Sequence, residues 1–274
     1  MWTAEHRKRY GDAGRRYPSD LTDAEWSTVG PLFTVYHPLS ADLREMVNAC
    51  LYLERTGCPW RYLPTDFGPW ETVRTWHDRF RADGIWSDML GLLTRGLRQA
   101  RGRPAEPATA IMDSQSVKSG PQAGSRGVDG HKKVKGIKRH ILTGTMGLVL
   151  AVLVTAANVH DTQAAGPLLD RAAAEGWQPK RLVVDGIYTG ERMNAATQRH
   201  ELAVQVSTKP PEAGAFTPMP LRWRAEATLG TCTNRYRRLT RNLEQSNTAA
   251  EDAVYIASCH RALRAYVRET HEEL

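Results

Sequence analysis

The fold is indicated most clearly by the stretch ATAIMDSQSVK at residues 108–118, a short apolar run that ends on Asp113 and then turns polar. A carboxylate at the end of a buried strand is costly unless it is paired, hydrogen-bonded or bound to a metal. A second run, KRLVVDG at residues 180–186, ends in the same way on Asp185. Both runs are therefore predicted to be strands whose terminal aspartates serve a function.

The sequence around these two runs predicts an α/β domain with a mixed sheet. LVLAVLVTAAN (148–158) is continuously apolar, which is typical of a central strand buried on both faces. Gly144 and Gly147 before it predict a hairpin turn. Strands are predicted at 109–114, 137–144, 148–158, 180–186 and 202–207.

Three helices complete this domain. The first is expected at 161–176 with Asp161 as its cap, and the second at 189–200. After a loop at 208–220, a long helix is expected from Leu221 onward, broken near Gly230 and again around 246–248.

The first hundred residues predict helices instead of strands. Thr22 followed three positions later by Glu25 is a capping-box pattern. The Pro-rich stretch RGRPAEPA (101–108) is the predicted boundary between domains. We expect a helical N-terminal domain followed by the α/β domain. The expected helices lie at 40–57, 71–84 and 85–102, and the expected domains span 1–102 and 103–274.

Two interpretations of the N-terminal helices remain open. A helix, a short turn and a helix that carry basic side chains could dock on DNA. Alternatively, four tryptophans form a small core and the arginines cover its solvated face. The residues concerned are Arg74, His77, Arg79 and Arg81 in the first case and Trp60, Trp70, Trp76 and Trp86 in the second.

Composition favours a polyanionic partner inside the cell. The net charge is +7 and the isoelectric point is near 9.4. The four cysteines form no Cys-x-x-Cys pair and no zinc spacing, which predicts reduced thiols. The longest apolar run, at 147–157, is about half the length that crosses a bilayer. A cytoplasmic, nucleoid-associated protein without membrane contact is expected.

The two terminal aspartates predict a metal site. Ligand sites in open α/β sheets lie beyond the carboxyl ends of strands, so neighbouring strands would bring Asp113 and Asp185 together. Oxygen-only ligation suits Mg²⁺ or Mn²⁺. The third acid is Glu226 or Glu244, which would lie about 27 Å apart on a continuous helix. Glu226 is favoured, because it lies near the helix start and Arg222 can orient it.

These parts together predict phosphodiester chemistry. Two metal ions about 4 Å apart activate an attacking oxygen and stabilise the leaving oxygen. Lysines and arginines would hold the nucleic-acid backbone, mainly through the basic tract HKKVKGIKRH at 131–140. The predicted DNA-binding residues are Lys132, Lys133, Lys135, Lys138, Arg139, His140, Arg74, Arg79, Arg222, Arg235, Arg237 and Arg238.

Several motifs occur in an order that resembles bacterial insertion-sequence transposases of the IS-five type. The resemblance runs from about residue 17 to residue 264, nearly the whole chain. One difference follows Glu226, where Ala227 and TLGTCTN stand in place of the arginine and aromatic residue of many relatives. The motifs are YPSDLTDAEW, RTGCPWRYLP, DSQSVK, GHKKVKGIKRHIL, DGIYTG, LRWRAEATLG and NRYRRLTRNLEQ.

The resemblance implies an RNase H-like core whose catalytic DDE triad falls on Asp113, Asp185 and Glu226, with Tyr188 matching a family tyrosine. It implies two Mg²⁺ or Mn²⁺ ions and a homodimeric complex that cuts terminal inverted repeats and joins them to target DNA. Two alternatives are a DNA-binding derivative without catalysis and a structure-guided nuclease. A metal-dependent nicking assay tests the first, and sequence-specific binding to paired repeats excludes the second.

Overall fold

A computed structural model describes residues 15–37, 41–207 and 221–271 of the chain. Helices occupy both ends of this described part, and the strands lie between them. The helices are α1 (Asp23–Val29), α2 (Leu43–Thr56), α3 (Trp70–Ala82), α4 (Ile85–Ala100), α5 (Asp161–Ala174), α6 (Glu191–Arg199), α7 (Trp223–Arg235) and α8 (Asn247–His271). The strands are β1 (Thr109–Lys118), β2 (Gly127–Asp129), β3 (Val134–Gly144), β4 (Val149–Ala156), β5 (Arg181–Val184) and β6 (Ala203–Val206).

The helix boundaries follow local capping chemistry. Thr22 and Glu25 form the predicted capping box at the start of α1. The cap of α5 is His160, whose side chain accepts from the Thr162 N–H, so the prediction that Asp161 is the cap was wrong by one residue. The predicted loop at 208–220 lies outside the described residues. None of the helices described is long and apolar enough to cross a membrane.

The sheet is mixed, as predicted. Its order is β2-β3-β1-β5-β6, and β4 pairs with β3 beside β2. β1 is antiparallel to β3 and parallel to β5, and β5 is parallel to β6. Three antiparallel strands followed by two parallel ones form the RNase H-like arrangement that the family resemblance implied.

β4 is an edge strand, so the prediction of a central strand was wrong. Its continuous apolar character has another cause, because α5 covers one face and α8 the other. The outward N–H groups of Val152 and Val154 donate to the Tyr255 hydroxyl (3.1 Å) and the Glu251 carboxylate (2.8 Å) on α8. Helix side chains thus satisfy an edge that would otherwise pair with another strand.

Of the two breaks predicted in the last helical segment, the one near Gly230 was wrong, whereas the one around 246–248 matches the start of α8 at Asn247. α7 continues through Gly230 and ends at Arg235, and a short 3₁₀ turn precedes α8. Arg238 in that turn is buried against Glu54 of α2 (3.5 Å) and Glu244 (2.7 Å). The 27 Å separation expected for a continuous helix therefore does not apply.

One hydrophobic cluster joins the N-terminal helices to the sheet. It includes Trp86 of α4, Ile111 of β1 and Ile256 of α8. Trp86 is fully buried, and Trp60, Trp70 and Trp76 pack against the same cluster, which supports the small-core interpretation of the tryptophans. The stretch at 101–108 connects α4 to β1.

The pairing of β1 with β3 depends on a glycine. A Cβ at Gly136 would collide with the carbonyl oxygen of Val117 and the backbone nitrogen of Ser119. Gly136→Ala should lower the free energy of unfolding by about 2 kcal/mol. Gly230 inside α7 has no atom within 4 Å of an added Cβ, so Gly230→Ala should raise it by about 0.5–1 kcal/mol. Urea unfolding measures the change in the free energy of unfolding for each variant. A change in the same direction in both variants would contradict this packing.

Candidate active site

The two predicted aspartates lie in matching positions on neighbouring strands. Ile111 of β1 is paired with Val183 of β5, and the parallel pairing ends there. Asp113 and Asp185 each follow two residues later. The strands separate at this point, which is where ligand sites form in α/β sheets.

Both carboxylates belong to the face of the sheet that α7 covers. Side chains alternate along a strand, and Ile111 and Val183 belong to the cluster on the α7 and α8 side, whereas Met112 belongs to the other. Thr228 of α7 fixes the helix by donating to the Gly147 carbonyl (2.8 Å) in the β3–β4 hairpin. The first turn of α7 carries Glu226.

Arg222 connects two of the three acids. Its guanidinium lies 2.7 Å from Glu226 and 3.7 Å from Asp185. The other oxygen of Asp185 accepts from the Ile187 N–H (3.0 Å), so this aspartate also forms the turn after β5. One cation therefore offsets two carboxylates at the split between the strands.

Asp113 is half-buried, and its pKa is raised. Burial raises the pKa of Asp113 to about 6, and the charges of Glu226 and Asp185 act in the same direction. The Ser114 N–H, which donates to the carboxylate (2.8 Å), and the charge of Arg222 oppose the rise. Asp113 is thus within electrostatic reach of both other acids and of the arginine between them.

The donor set has the chemistry of a divalent cation site, with three carboxylates beside a strand split. Within the described residues, however, no group of three or more His, Cys, Asp or Glu side chains is arranged to hold a metal ion. Arg222 stands where positive charge is needed, pairing with Asp185 and Glu226. The residues fit a metal in type and charge, and binding would require Arg222 to withdraw.

Glu244, the competing third acid, serves another role. It pairs with buried Arg238 at 2.7 Å, next to Glu54. Its backbone N–H donates to the side-chain oxygen of Asn242 at 3.3 Å. The preference for Glu226 over Glu244 is consistent with this placement.

The basic tract divides into two groups. Lys132, Lys133 and Lys135 are exposed. Lys132 also lines a cleft of about 380 Å³ beside Ile187, close to the strand split. These three lysines remain predicted phosphate contacts.

Lys138, Arg139 and His140 are buried in β3, which corrects the prediction that they contact DNA. Lys138 binds Asp161 (2.9 Å) and the Val159 carbonyl (2.9 Å), and Arg139 donates to the Leu239 carbonyl (2.7 Å). His140 is 1% exposed, and burial lowers its pKa, so it is held neutral. β3 has neighbours on both edges and layers on both faces, which leaves these side chains no route to a phosphate.

The remaining predicted DNA contacts also differ in exposure. Arg235, Arg237 and Arg79 are exposed, although Arg79 also stacks on Tyr36 (4.9 Å). Arg74 pairs with Asp78 at 2.8 Å. Arg238 is 7% exposed and fully engaged by carboxylates, so it is corrected to a structural residue.

Tyr188 lies under the site rather than in it. It is 2% exposed, and its N–H donates to the Asp185 carbonyl (3.2 Å), closing the turn that presents the aspartate. Burial raises its pKa well above the usual range, assisted by the charges of Asp161 and Asp113. The sequence analysis missed Asp129 and Asp161 as partners of Lys138. Lys138, Arg139 and His140 are consecutive, so in a strand their side chains alternate between its two faces, which was the signal that polar side chains face inward on a covered sheet.

A family model described as "Transposase DDE domain" matches residues 104–261, and one described as "Putative transposase of IS4/5 family" matches residues 21–90. No curated protein matches the chain.

Among solved structures, the catalytic domain of Mos1 mariner transposase is 10% identical, covers 69% of this chain and 91% of its own, and gives a TM-score of 0.33. The Mos1 paired-end complex with left transposon end is 11% identical over 98% of this chain and 91% of its own, with a TM-score of 0.31. The Mos1 paired-end complex with Mn is 11% identical over 98% and 92%, with a TM-score of 0.28. The fold described above rests on its own strand order and not on these matches.

Arg222→Gln removes the cation between the acids. In EDTA the variant should unfold at a lower temperature than the wild type, because the carboxylates then repel one another. The Mg²⁺ concentration that gives half of the thermal stabilisation should fall three- to tenfold, about 1 kcal/mol of affinity. Arg224→Gln, on the same helix but stacked on Trp223 (4.2 Å), is the control and should match the wild type. An unchanged Mg²⁺ response in Arg222→Gln would contradict the competition between arginine and metal.

Proposed function

The chain belongs to the DDE transposases of the IS4/5 type, and we propose that it binds the terminal inverted repeats of an insertion sequence, cuts them and joins them to target DNA. Water would hydrolyse a phosphodiester bond at the element end, and the freed 3′-hydroxyl would then attack target DNA in the same site. The active complex is proposed to hold two copies of the chain with paired DNA ends.

One observation carries this proposal. Asp113 and Asp185 stand in matching positions beyond the last parallel pair of the sheet, on the face from which α7 brings Glu226. Arg222 shows that the site accepts positive charge between Asp185 and Glu226. A site where several carboxylates lie close together is suited to bind a divalent cation. A bound cation can in turn bind the anionic oxygens of a phosphodiester substrate.

DDE transposases use divalent metals. We propose that Asp113, Asp185 and Glu226 would hold two Mg²⁺ or Mn²⁺ ions, which when bound supply activation of the attacking oxygen and stabilisation of the leaving oxygen. The chain's own residues orient the acids: Ser114 fixes Asp113, and the turn closed by Tyr188 fixes Asp185.

The residues that follow Glu226 are compatible with activity. α7 runs without interruption through Ala227 and the following TLGTCTN stretch, with Ala225 and Leu229 buried against the core. The helix therefore packs without the arginine and aromatic residue of many relatives. This observation favours an active enzyme over a DNA-binding derivative without catalysis.

The domain division supports separate tasks for the two parts of the chain. We propose that residues 1–102 contribute to end binding through the exposed Arg79, and that residues 103–274 carry out catalysis. Arg74 is a weaker candidate, because Asp78 already neutralises it.

Asp185→Asn tests the catalytic assignment. The amide keeps the shape of the side chain but removes a charge that a divalent ion needs. The variant should fold and bind DNA at least as tightly as the wild type, with nicking and joining of element ends reduced by at least about 10²-fold, a barrier increase of roughly 2.7 kcal/mol. Asp170→Asn, a surface aspartate that pairs with Arg199 (2.9 Å), is the matched control and should remain active. Substantial Mg²⁺-dependent cleavage by Asp185→Asn would place the catalytic centre elsewhere.

Lys135→Gln and Lys138→Gln separate the two groups within the basic tract. Lys135 is exposed, so its loss should weaken binding to all DNA sequences and reduce the salt slope by about 0.9. Lys138 is buried between Asp129 and Asp161, so its loss should destabilise the fold by about 3 kcal/mol. Salt-dependent binding and urea unfolding measure the two effects. A larger change in salt slope for Lys138→Gln than for Lys135→Gln would contradict the division.

A further inference from the structure

A second group of positively charged side chains lies away from Asp113, Asp185 and Glu226. It is found where the described segment before α1, helix α2 and helix α8 meet. Four half-buried arginines, here called the four-arginine cluster, surround the rings of Tyr236 and His260. Arg55 of α2 stacks over Tyr236 at 5.4 Å, and Arg261 of α8 lies 3.6 Å from the Cys232 sulfur. The members of the cluster are Arg15, Arg55, Arg261 and Arg264.

The four-arginine cluster has little negative charge around it. Among the described residues, Glu25 is the one carboxylate that pairs with a member, at 3.6 Å from Arg264, and it also accepts from the Thr22 N–H. Arg55 and Arg261 make hydrogen bonds to a carbonyl oxygen and a sulfur, neither of which neutralises a guanidinium. By contrast, the buried Arg238 has two carboxylates.

His260 is packed among the arginines of the four-arginine cluster. It is 2% exposed, and neither ring nitrogen has a hydrogen-bond partner among the described residues. Burial lowers its pKa well below the usual range, and the charges of Arg264, Arg55 and Arg15 act in the same direction. A neutral histidine is therefore enclosed by four arginines, of which Arg264 alone pairs with a carboxylate among the described residues.

We infer that the four-arginine cluster binds backbone phosphates of duplex DNA at a site separate from the catalytic acids. Guanidinium groups present paired N–H donors that match phosphate oxygens, and an anion would relieve the repulsion among the four cations. Duplex DNA is the occupant that the chemistry of this family supplies, so the inference rests on the proposed function.

The position of the cluster fits a duplex that also reaches the acids. α7 has Glu226 in its first turn and Arg235 at its last residue, whose carbonyl accepts from Arg55 at 2.8 Å. Nine residues of helix span about 14 Å, the rise of about four base pairs. The phosphates bound by the cluster should therefore lie at least about four base pairs from the bond that is cut.

The test measures binding without cleavage. A fluorescein-labelled duplex of about 30 mixed-sequence base pairs, roughly three helical turns, is titrated in EDTA at several salt concentrations. Arg261→Gln should reduce the salt slope by about 0.9, and Arg55→Gln with Arg261→Gln by about 1.8. Arg261→Lys keeps the charge and should restore most of the slope. Arg181→Gln, an exposed arginine at the start of β5, loses the same charge and should match the wild type.

The outcomes separate the two proposals. An unchanged slope in a folded double variant, verified by urea unfolding, would overturn the cluster as a phosphate site while wild-type nicking could still support the transposase activity. An unchanged slope together with an altered oligomeric state on gel filtration would assign the cluster to a second copy of the chain and would also overturn it. Failure of the wild type to nick element ends would refute the proposed function, whereas the salt slopes would still report on the cluster.

Discussion

The register between β1 and β5 is the constraint on which the rest of the structure depends. Because Ile111 pairs with Val183, the two strands end their parallel contact in step, and Asp113 and Asp185 follow at equal distances. A shift of one residue would turn one aspartate to the opposite face of the sheet, toward α5 and α6. The same alternation directs both carboxylates to the side where α7 lies, held by the Thr228 bond to the Gly147 carbonyl. Strand pairing, more than any single contact among the acids, therefore brings three distant parts of the sequence together.

α8 makes this arrangement possible by closing the sheet on its exposed side. Its Glu251 and Tyr255 satisfy the free N–H groups of β4, and Arg171 and Glu175 complete the polar network around them. Burial raises the pKa of Glu175 to about 7. The same helix contacts α4, since the Cys259 thiol donates to the Trp86 carbonyl at 3.1 Å. The proposed N-terminal and catalytic domains consequently share one core, and the division between them is functional rather than a division of packing.

The sequence predicted the parts of the fold that local patterns determine. Strands β1 and β5 and the α1 capping box are visible in short windows, because apolar runs and caps are local signals. The end of β1 was not, because the strand continues past the predicted end at 114 to Lys118, where it still pairs with β3. The position of β4 at the edge of the sheet could not be predicted in this way. An edge strand that is covered by a helix distant in sequence, here α8, has the same apolar composition as a central strand. The predicted DNA contacts of Lys138 and Arg139 were wrong for a related reason. A charged residue is normally exposed. Its burial depends on partners that are distant in sequence, here Asp161 and the Leu239 carbonyl. The two aspartates were predictable because Asp185 follows the end of β5 and Asp113 lies just past the point where β1 stops pairing with β5. Arg222 as the cation between Asp185 and Glu226 required the structure.

The net charge of +7 does not by itself show where an anion would bind, because many of the arginines are already paired with carboxylates or carbonyl groups. Arg238 and Arg139 are buried, and their energetic role is to hold the 3₁₀ turn between α7 and α8 against α2 and β3. Arg222 is balanced by two acids and marks a site that requires a cation. The four-arginine cluster differs from all of these, because its charge is largely unbalanced and half-exposed. Unpaired charge held near a surface by a rigid core is the form of positive charge that attracts a polyanion, since paired guanidinium groups have already lost most of their field to a neighbouring carboxylate.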